Sequence, residues 1–201
     1  DIPPYSEYDT VISTGEQITS ALLAIALEKI SIKARSWLGW QIPIFTDKTY
    51  GKSLIEKIKT DNISKDLEVN QVAIVSGFQG VSSENRITTL GRGGSDTTAV
   101  AMAASFLAVR CDIYTDVDGV YTTDPRIVKS AKKLDIITYE EMLELASQGA
   151  KVLQARSVAL AMKYGVNLRV LSSFEDLPGT SIVKEEKNME KSEISGIAHS
   201  L

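Results

Sequence analysis

The chain has 201 residues, of which 43% are hydrophobic and 24% are charged. These proportions are ordinary for a folded soluble protein and exclude a chain that is disordered along its whole length. With 22 basic and 26 acidic residues the net charge is −4, so no general electrostatic attraction draws the chain to nucleic acid or to an anionic membrane. We therefore predict about one globular domain, with neither nucleic acid nor membrane as a partner.

The chain has one cysteine, Cys111, and one histidine, His199. A single cysteine excludes an intrachain disulfide and favours a reducing, cytoplasmic location. One histidine close to the end argues against a Ser-His-Asp triad, a Cys-His pair or a histidine-rich zinc site. The longest apolar run, from Ala21 to Leu27, is far shorter than the ~18–20 residues that span a bilayer, and no secretory signal is recognisable.

The first half of the chain begins with a segment predicted to be irregular, Asp1–Tyr8, and continues into a long helix. Ser13 and Glu16 match the S-x-x-E capping box, and the apolar run behind them predicts a helix from about Thr14 to Lys29. The next predicted elements are β-type runs at Ile30–Trp37 and Ile42–Thr46, an ambiguous run at Ser53–Ile58, a helix at Asp61–Glu68 and a buried parallel strand at Gln71–Ser76.

The second half continues this alternation and contains another capping box, formed by Thr138 and Glu141. Gly165 is predicted to end the last helix in the left-handed conformation. The predicted elements are a loop at Gly77–Asn85, a strand at Ile87–Leu90, a helix from Thr97 to about Val109, a strand at Cys111–Thr115, turns at Asp116–Arg126, helices ending at Ser147 and spanning about Ala150–Tyr164, and strands at Asn167–Ser172 and Ser181–Val183. Such alternation predicts a layered α/β fold with a largely parallel sheet.

The sharpest motif runs from Thr88 to Asp96 and reads TTLGRGGSD. Its glycines permit a ligand to approach the backbone closely, and the N–H groups at the start of the following helix favour an anion. Arg92 in the same segment is able to bind a carboxylate or a phosphate through two hydrogen bonds. The pattern also fits a tight strand-to-helix turn capped by Ser95 or Asp96. From these residues alone, both interpretations stand.

The second motif, TDVDGVYTTDPR, runs from Thr115 to Arg126 directly after a predicted strand. In open α/β sheets, ligands bind outside the carboxyl ends of the strands. The motif is not an EF-hand, because, counted from Asp116, glycine stands at the fourth position rather than the sixth and Ile127 stands where the bidentate glutamate should be. A hydrophilic turn without a ligand is the alternative. Neither the P-loop nor the G-x-G-x-x-G fingerprint is present, and we predict no metal bound by the protein alone.

Three charged residues have both a structural and a functional interpretation. Asp96 either caps a helix or orients lysines and other donors, since it would repel a phosphate directly. Glu16 is explained without function by its capping box. Lys151 is predicted in the first turn of a helix, where a positive charge opposes the helix dipole; this hints at function, although a solvated lysine is the alternative.

Six segments in a fixed order are distributed along nearly the whole chain, from about Ser13 to Val183. They are STGEQ (Ser13–Gln17), GFQG (Gly77–Gly80), ITTLGRGGSDTTAVAMAA (Ile87–Ala104), YTDVDGVYTTDPRIV (Tyr114–Val128), YEEMLELASQGAKVL (Tyr139–Leu153) and RVLSSFEDLPGT (Arg169–Thr180). Together they resemble the aspartate kinase family of the amino-acid kinase superfamily.

The resemblance implies a three-layer α/β/α sandwich around a mainly parallel central sheet, the amino-acid kinase fold. It implies phosphoryl transfer from ATP, with Mg²⁺ bound to the nucleotide, to the side-chain carboxylate of L-aspartate. That reaction opens the biosynthesis of lysine, threonine, methionine and diaminopimelate. A homodimer or a higher homo-oligomer is also implied.

The resemblance further assigns roles to the residues that match the family's motifs. The implied aspartate-binding residues are Glu16 for the amino group, Arg92 for the α-carboxylate, and Gly93, Gly94 and Ser95 as the pocket lining. The implied catalytic residues are Asp96, which organises lysines around the transferred group, and Lys151, which reaches the ATP phosphates. The implied nucleotide-binding residues are Thr115, Asp116, Tyr121, Asp124, Arg126 and Lys151.

The family also has parts that this sequence does not show, namely an N-terminal strand with a K-x-G-G-[ST] phosphate loop and C-terminal regulatory ACT domains. We therefore interpret residues 1–183 as an N-terminally incomplete amino-acid kinase domain. Residues 184–193, of which seven are charged, are interpreted as a linker, and residues 194–201 as the start of an ACT domain. The alternatives are another amino-acid or carbamate kinase and a non-catalytic subunit that binds nucleotides or amino acids.

Overall fold

The computed structural model describes residues 5–149, 152–184 and 196. Contacts between residues divide the chain into two compact units, Asp1–Ser105 and Phe106–Leu201, which are described separately. The predicted alternation of helices and strands is confirmed in both units. The predicted linker and the predicted start of an ACT domain lie outside the described residues, apart from Lys184 and Gly196.

The first unit contains two sheets among its described residues. Its elements are α1 (Tyr5–Ile12), α2 (Thr14–Lys29), β1 (Ala34–Trp37), β2 (Ile44–Thr46), β3 (Ile55–Ile58), α3 (Asp61–Glu68), β4 (Val72–Val75), β5 (Gln79–Val81), β6 (Ile87–Thr89) and α4 (Gly94–Ser105). Strands β1 and β4 pair in parallel, and α2 and α3 pack against them. The second sheet has the order β3-β2-β5-β6, in which only β2 and β5 run parallel. Strand β6, at the edge of this sheet, is followed along the chain by the start of α4.

The second unit is built around one sheet among its described residues. Its elements are β7 (Cys111–Thr115), β8 (Ile136–Thr138), α5 (Tyr139–Ser147), α6 (Ala155–Tyr164), β9 (Leu168–Ser172) and β10 (Thr180–Val183). The sheet order is β7-β9-β10-β8; β7 and β9 run parallel, as do β10 and β8, whereas β9 and β10 are antiparallel. The fully buried side chains of Met142, Val158, Val170 and Ile182 form its core.

The two predicted capping boxes have opposite outcomes. The box at Thr138 is confirmed, because its hydroxyl accepts from the Glu141 N–H at 3.2 Å and Glu141 Oε2 accepts from the Thr138 N–H at 2.9 Å. The box at Ser13 is wrong, because Ser13 has helical dihedral angles and its hydroxyl donates to the Thr10 carbonyl at 2.9 Å. Helix α1 runs into α2 at Ser13, so no extended N-cap residue stands there, and Glu16 is free of the capping role.

Helix α4 is displaced from its prediction at both ends. It begins at Gly94 rather than at Thr97, because the Gly93 carbonyl already accepts the Thr97 N–H at 3.0 Å. It ends at Ser105 rather than near Val109. The cause is Leu107, whose φ of 50° is left-handed and is incompatible with a continuing α-helix.

Other boundaries were also predicted wrongly. The predicted irregular segment Asp1–Tyr8 overlaps helix α1, and β5 lies inside the segment Gly77–Asn85 that was predicted as a loop. Strand β8 had no predicted counterpart. Helix α6 begins at Ala155, later than the predicted Ala150, and ends as predicted at Gly165, whose φ is 66°.

Helices α1 and α2 follow each other so closely that Tyr5–Lys29 forms one helical stretch of 25 residues. By length and composition alone this stretch would suffice to cross a membrane, which the separate apolar runs of the sequence did not indicate. Its polar side chains, however, bond to the rest of the first unit. They pair Asp9 with Thr89 (2.8 Å), Gln17 with Gln79 (3.1 Å) and Ser20 with Ser76 (2.8 Å). Such bonds are those of a helix that packs in a globular unit.

Candidate functional site

A cavity of about 320 Å³ lies in the first unit at the start of α4. Its walls come from α1, the turn at Gly51, Phe78 before β5, and residues Gly91–Ser95, which we call the glycine segment. Helix α1 contributes Tyr8 and Ile12. Four residues predicted to bind the substrate, Arg92, Gly93, Gly94 and Ser95, therefore lie together on one wall.

The backbone of the glycine segment has a shape that other residues adopt only with strain. Gly91 and Gly93 have φ values of 76° and 69°, in the region that L-residues rarely occupy. Gly94 has no space for a side chain, because a Cβ atom would lie 2.7 Å from Cδ2 of Phe78 and 3.0 Å from Cβ of Leu90. The segment thus brings bare backbone to the cavity wall, where peptide N–H groups are open to a ligand.

Arg92 is exposed, and its guanidinium makes no hydrogen bond or ion pair within the part of the chain that the structure describes. The N–H groups of Ser95 and Asp96, in the first turn of α4, likewise donate to no protein acceptor among the described residues. Unpaired donors at the positive end of a helix dipole favour an anion. The segment therefore forms the predicted tight strand-to-helix turn. It also presents the donors that the anion-binding interpretation requires.

Asp96 is half-buried in the first turn of α4. Burial raises the pKa of its carboxyl above the ordinary value, because the charged form is disfavoured away from water. Among the described residues no basic side chain forms an ion pair with it. The lysines that Asp96 is predicted to organise are thus not among its described contacts, and its carboxylate is available to a cationic partner.

Glu16 lies in the first turn of α2, and no described residue pairs with its carboxylate. Two side chains hold this turn: Ser76 Oγ donates to the Glu16 carbonyl at 3.3 Å, and Gln79 Nε2 donates to the Ser13 carbonyl at 3.1 Å. Gln79 directly follows Phe78, which lines the cavity. Glu16 itself is outside the lining of the cavity, although its turn is fixed to the neighbouring strand.

The second unit carries the other predicted site residues, in the stretch Asp116–Arg126, which we call the acidic segment. Strand β7 ends at Thr115, beside Ser172 of the parallel strand β9. The Thr115 hydroxyl donates to the Asp116 carboxylate at 3.1 Å, and its carbonyl accepts the Ser173 N–H at 2.8 Å. The acidic segment therefore begins where parallel strands end, as the sequence predicts.

Tyr121 is held inside the acidic segment by its hydroxyl, which donates to both carboxylate oxygens of Asp118 at 3.1 Å. Lys133 Nζ lies 3.7 Å from the same carboxylate. Burial, and after it the hydrogen bond with Asp118, raises the pKa of Tyr121. The phenol consequently stays protonated at neutral pH and remains a donor.

Asp124 and Arg126 form an ion pair with each other. Arg126 Nη2 donates to Asp124 Oδ2 at 2.8 Å, and Arg126 Nε donates to Asp124 Oδ1 at 3.0 Å. The hydrogen bonds with Asp124 raise the pKa of Arg126. Since the Arg126 side chain is 84% exposed, it lies where a ligand in solvent can reach it.

Three of the nine residues that line the cavity belong to no sequence motif, and one predicted site residue lies where no structure is described. Lys151, the implied phosphate-binding lysine, lies outside the described residues. Tyr8, Ile12 and Gly51 line the cavity without belonging to any motif. Phe78 did carry a signal, because it stands inside the GFQG segment.

Comparison with known proteins identifies a family that this chain matches. A sequence model of the amino acid kinase family matches residues 4–172. The chain is 53% identical over 198 residues to the aspartokinase of Rickettsia felis and covers 98% of its own length and 49% of that relative. It is 57% identical over 193 residues to the aspartate kinase of Pseudomonas fluorescens, of which it covers 47%. The chain thus spans about half the length of the curated relatives that it matches.

A solved structure supports the fold independently. The crystal structure of E. coli aspartokinase III in complex with aspartate and ADP matches with a TM-score of 0.85 at 32% identity, over 92% of this chain and 42% of that one. The predicted amino-acid kinase fold is thereby confirmed.

Proposed function

The chain belongs to the amino acid kinase family, and on this premise we propose that it provides the phosphoryl-transfer residues of an aspartate kinase. The substrates are ATP and L-aspartate, and the products are ADP and 4-phospho-L-aspartate. The observation that carries the proposal is the guanidinium of Arg92 on the wall of the glycine-segment cavity, which has no partner among the described residues. The names of the relatives, and the aspartate and ADP in the complex of E. coli aspartokinase III, support the choice of acceptor and of nucleotide.

The cavity suits one end of an amino acid. Arg92 is the partner for the α-carboxylate, with Gly93, Gly94 and Ser95 beside it, since a guanidinium and backbone N–H groups together neutralise a carboxylate. Glu16 is the partner for the ammonium group, because its carboxylate has no competing protein contact among the described residues. Asp96 serves the reacting end, where its partly buried carboxylate positions cationic groups around the transferred phosphoryl.

The reaction itself needs little proton chemistry. The acceptor carboxylate has an ordinary pKa of ~3.9 and is already ionised at neutral pH, so one of its oxygens attacks the γ-phosphorus directly. The new P–O bond forms as the bond to the ADP leaving group breaks, and no general base is required. The barrier comes from bringing anions together, and positioning with charge neutralisation lowers it.

The acidic segment provides the nucleotide side. We assign Thr115, Asp116, Tyr121, Asp124, Arg126 and Lys151 to nucleotide binding, and Lys151 also to the phosphates during transfer. Mg²⁺ would arrive bound to ATP and would neutralise phosphate charge. Such an ion would be held mainly by the phosphates, as Mg²⁺ commonly is.

The proposal extends to the setting of the enzyme. We place it in the cytoplasm, as a homodimer or higher homo-oligomer, at the step that commits aspartate to lysine, threonine, methionine and diaminopimelate. The divisions at residues 183 and 193, into kinase domain, charged linker and the beginning of an ACT domain, also remain proposals.

Trapping of the acyl phosphate tests the function. The complete natural protein is incubated with ATP, Mg²⁺ and hydroxylamine, and the hydroxamate formed from L-aspartate is measured beside reactions with L-glutamate, N-acetylglutamate and carbamate. We expect hydroxamate from aspartate alone. Product from another acceptor and none from aspartate would identify a different kinase of the same fold. Binding of ATP and aspartate by calorimetry, without hydroxamate, would identify a non-catalytic subunit.

A further inference from the structure

One carboxylate joins the walls of the glycine-segment cavity without lining it. Asp9 of α1 is fully buried. Its Oδ2 accepts the Gly51 N–H at 3.0 Å and the Thr89 N–H at 2.8 Å, and its Oδ1 accepts the Thr89 hydroxyl at 2.8 Å. We infer that Asp9 is a positioning residue that holds the glycine segment in the shape that binds the acceptor substrate; this inference rests on the proposed function.

Each partner of Asp9 leads directly to a wall of the cavity. Gly51 is itself part of the lining, and its carbonyl packs so closely on Gly91 that a Cβ atom there would lie 2.8 Å away. Thr89 is the last residue of β6 and stands three residues before Arg92. Asp9 lies on the helix that supplies the third wall. A single side chain therefore sets the relative positions of three of the four walls.

The chemistry at this point requires an acceptor with several lone pairs. Two backbone N–H groups and one hydroxyl converge in a buried place, and a buried donor without a partner is costly. One carboxylate accepts all three. Other bonds fix the rest of the strand end: the Thr89 carbonyl accepts the Ser53 N–H at 2.9 Å, and the Leu90 N–H donates to the Phe78 carbonyl at 2.9 Å. Because Leu90 and the glycine segment directly follow Thr89 along the chain, a shift of Thr89 would move them as well.

Loss of Asp9 should change the kinetic constants in a different way from a general loss of folded protein. The walls that Asp9 joins lie on the acceptor side, whereas the proposed nucleotide residues belong to the other unit. Displacement of Arg92 therefore raises the KM for L-aspartate and leaves the KM for ATP unchanged. General destabilisation lowers the fraction of active enzyme, which reduces apparent kcat and changes neither KM.

The test measures both KM values in the complete natural protein for Asp9→Ala, Asp9→Asn and Thr89→Val. In Asp9→Asn the carboxamide oxygen still accepts both N–H groups, and its NH₂ donates to the Thr89 hydroxyl, so we expect a KM for aspartate within about threefold of wild type. Asp9→Ala should raise it about tenfold or more. Thr89→Val removes only the bond between the Thr89 hydroxyl and Asp9, and it is the test variant should Asp9→Ala fail to fold. It should raise the KM for aspartate about threefold.

Asp66→Ala is the matched control. Asp66 is a second buried carboxylate of the first unit, and it accepts from Trp37 Nε1 at 2.9 Å and pairs with Arg35 at 3.7 Å, neither of which lines the cavity. We expect it to lower the melting temperature and to leave both KM values unchanged.

The outcomes separate this inference from the function on which it rests. A wild-type protein that makes no acyl phosphate from aspartate overturns the proposed function, and the inference falls with it. With an active wild type, the inference alone is overturned if Thr89→Val or a folded Asp9→Ala leaves the KM for aspartate unchanged. It is also overturned if Asp9→Asn is as impaired as Asp9→Ala, or if both KM values rise together.

Discussion

The glycine segment and the acidic segment each follow a strand and each carry an arginine, but the two arginines have opposite surroundings. Arg92 has no protein partner within the described part of the chain, whereas Arg126 donates to Asp124 at 2.8 Å. In the acidic segment the Tyr121 hydroxyl also donates a hydrogen bond to Asp118. The first segment presents donors that have no partner among the described residues, on a backbone with two left-handed glycines, and the second presents groups that already bind one another.

This difference determines how a ligand engages each segment. An anion that binds Arg92 displaces water and breaks no bond to any described residue. An anion that binds Arg126 competes with Asp124 for the same guanidinium. A charge-assisted contact contributes more free energy than an exposed ion pair, whose attraction is screened by solvent. Substitutions in the glycine segment should therefore have the larger effects on catalysis.

The largest effect is expected from Arg92→Ala. Loss of the contact with the α-carboxylate should lower kcat/KM for L-aspartate about ten- to a hundred-fold, and the melting temperature should not change because no protein bond is lost. Steady-state kinetics with varied aspartate measure kcat/KM, and thermal unfolding measures the melting temperature.

Arg126→Ala is the matched control for this substitution, because it removes the same group from the acidic segment. It should lower kcat/KM for ATP about two- to fivefold and leave the KM for aspartate unchanged. A folded Arg92→Ala variant with wild-type kcat/KM for aspartate would reject the assignment of Arg92, and equal losses for both arginines would remove the distinction between the segments.

Rigidity of the first segment is tested by Gly91→Ala. A left-handed φ costs an L-residue about 1–2 kcal/mol, and here the new Cβ atom would also lie 2.8 Å from the Gly51 carbonyl. We expect a loss of at least ~2 kcal/mol in unfolding free energy and a raised KM for aspartate. Gly165→Ala has a similar φ of 66° with nothing within 4 Å, and should lose only about 1 kcal/mol. Equal losses would mean that the contact with Gly51 does not constrain the segment.

The sequence predicted the two segments better than it predicted the cavity. Short patterns whose meaning is local, such as the box at Thr138 and the helix stop at Gly165, are confirmed because neighbouring residues alone determine them. The box at Ser13 is equally good as a pattern and is wrong, since a helix that the sequence did not indicate runs into it. Helix α1 depends on a tertiary contact, the buried Asp9 with its bonds to Gly51 and Thr89.

The same limit explains which site residues were found. Arg92 and its neighbours follow one another along the chain, so one motif reveals them. Tyr8 and Gly51 reach the cavity from positions at least forty residues before the glycine segment, and no spacing rule connects them to it. Pairing is also invisible to the sequence: each segment contains an arginine, and only the folded structure distinguishes Arg92, which has no partner among the described residues, from Arg126, which is bonded to Asp124.

Charges that pair in the second unit should matter for stability rather than for turnover, and Asp112→Asn tests this. Asp112 of β7 accepts two hydrogen bonds from Arg169 of β9, at 2.8 and 2.7 Å, and this bonding lowers the pKa of its carboxyl. A depressed folded-state pKa stabilises the protein above the unfolded value of ~3.9, and the contribution is lost as the pH falls through the folded value.

We therefore expect Asp112→Asn to lose about 1–2 kcal/mol in unfolding free energy at pH ~7, and the difference from wild type to shrink below pH ~4. Urea unfolding at both pH values measures it, and kcat/KM should stay at the wild-type value. Glu84→Gln is the control, because its pair with Lys48 is exposed and contributes little. A loss of the same size at both pH values would contradict the electrostatic explanation.

The smallest effect, and the finest test of the acidic segment, is expected from Tyr121→Phe. The phenol contacts only Asp118 among the described hydrogen bonds, so its removal leaves one carboxylate less well oriented and should raise the KM for ATP about two- to fivefold, equivalent to ~0.5–1 kcal/mol. Tyr114→Phe, on β7 and 64% exposed, should change nothing. If Tyr121→Phe instead lowered kcat a hundred-fold at an unchanged KM, the hydroxyl would act on the transferred phosphoryl, and the acidic segment would rank with the glycine segment in catalysis.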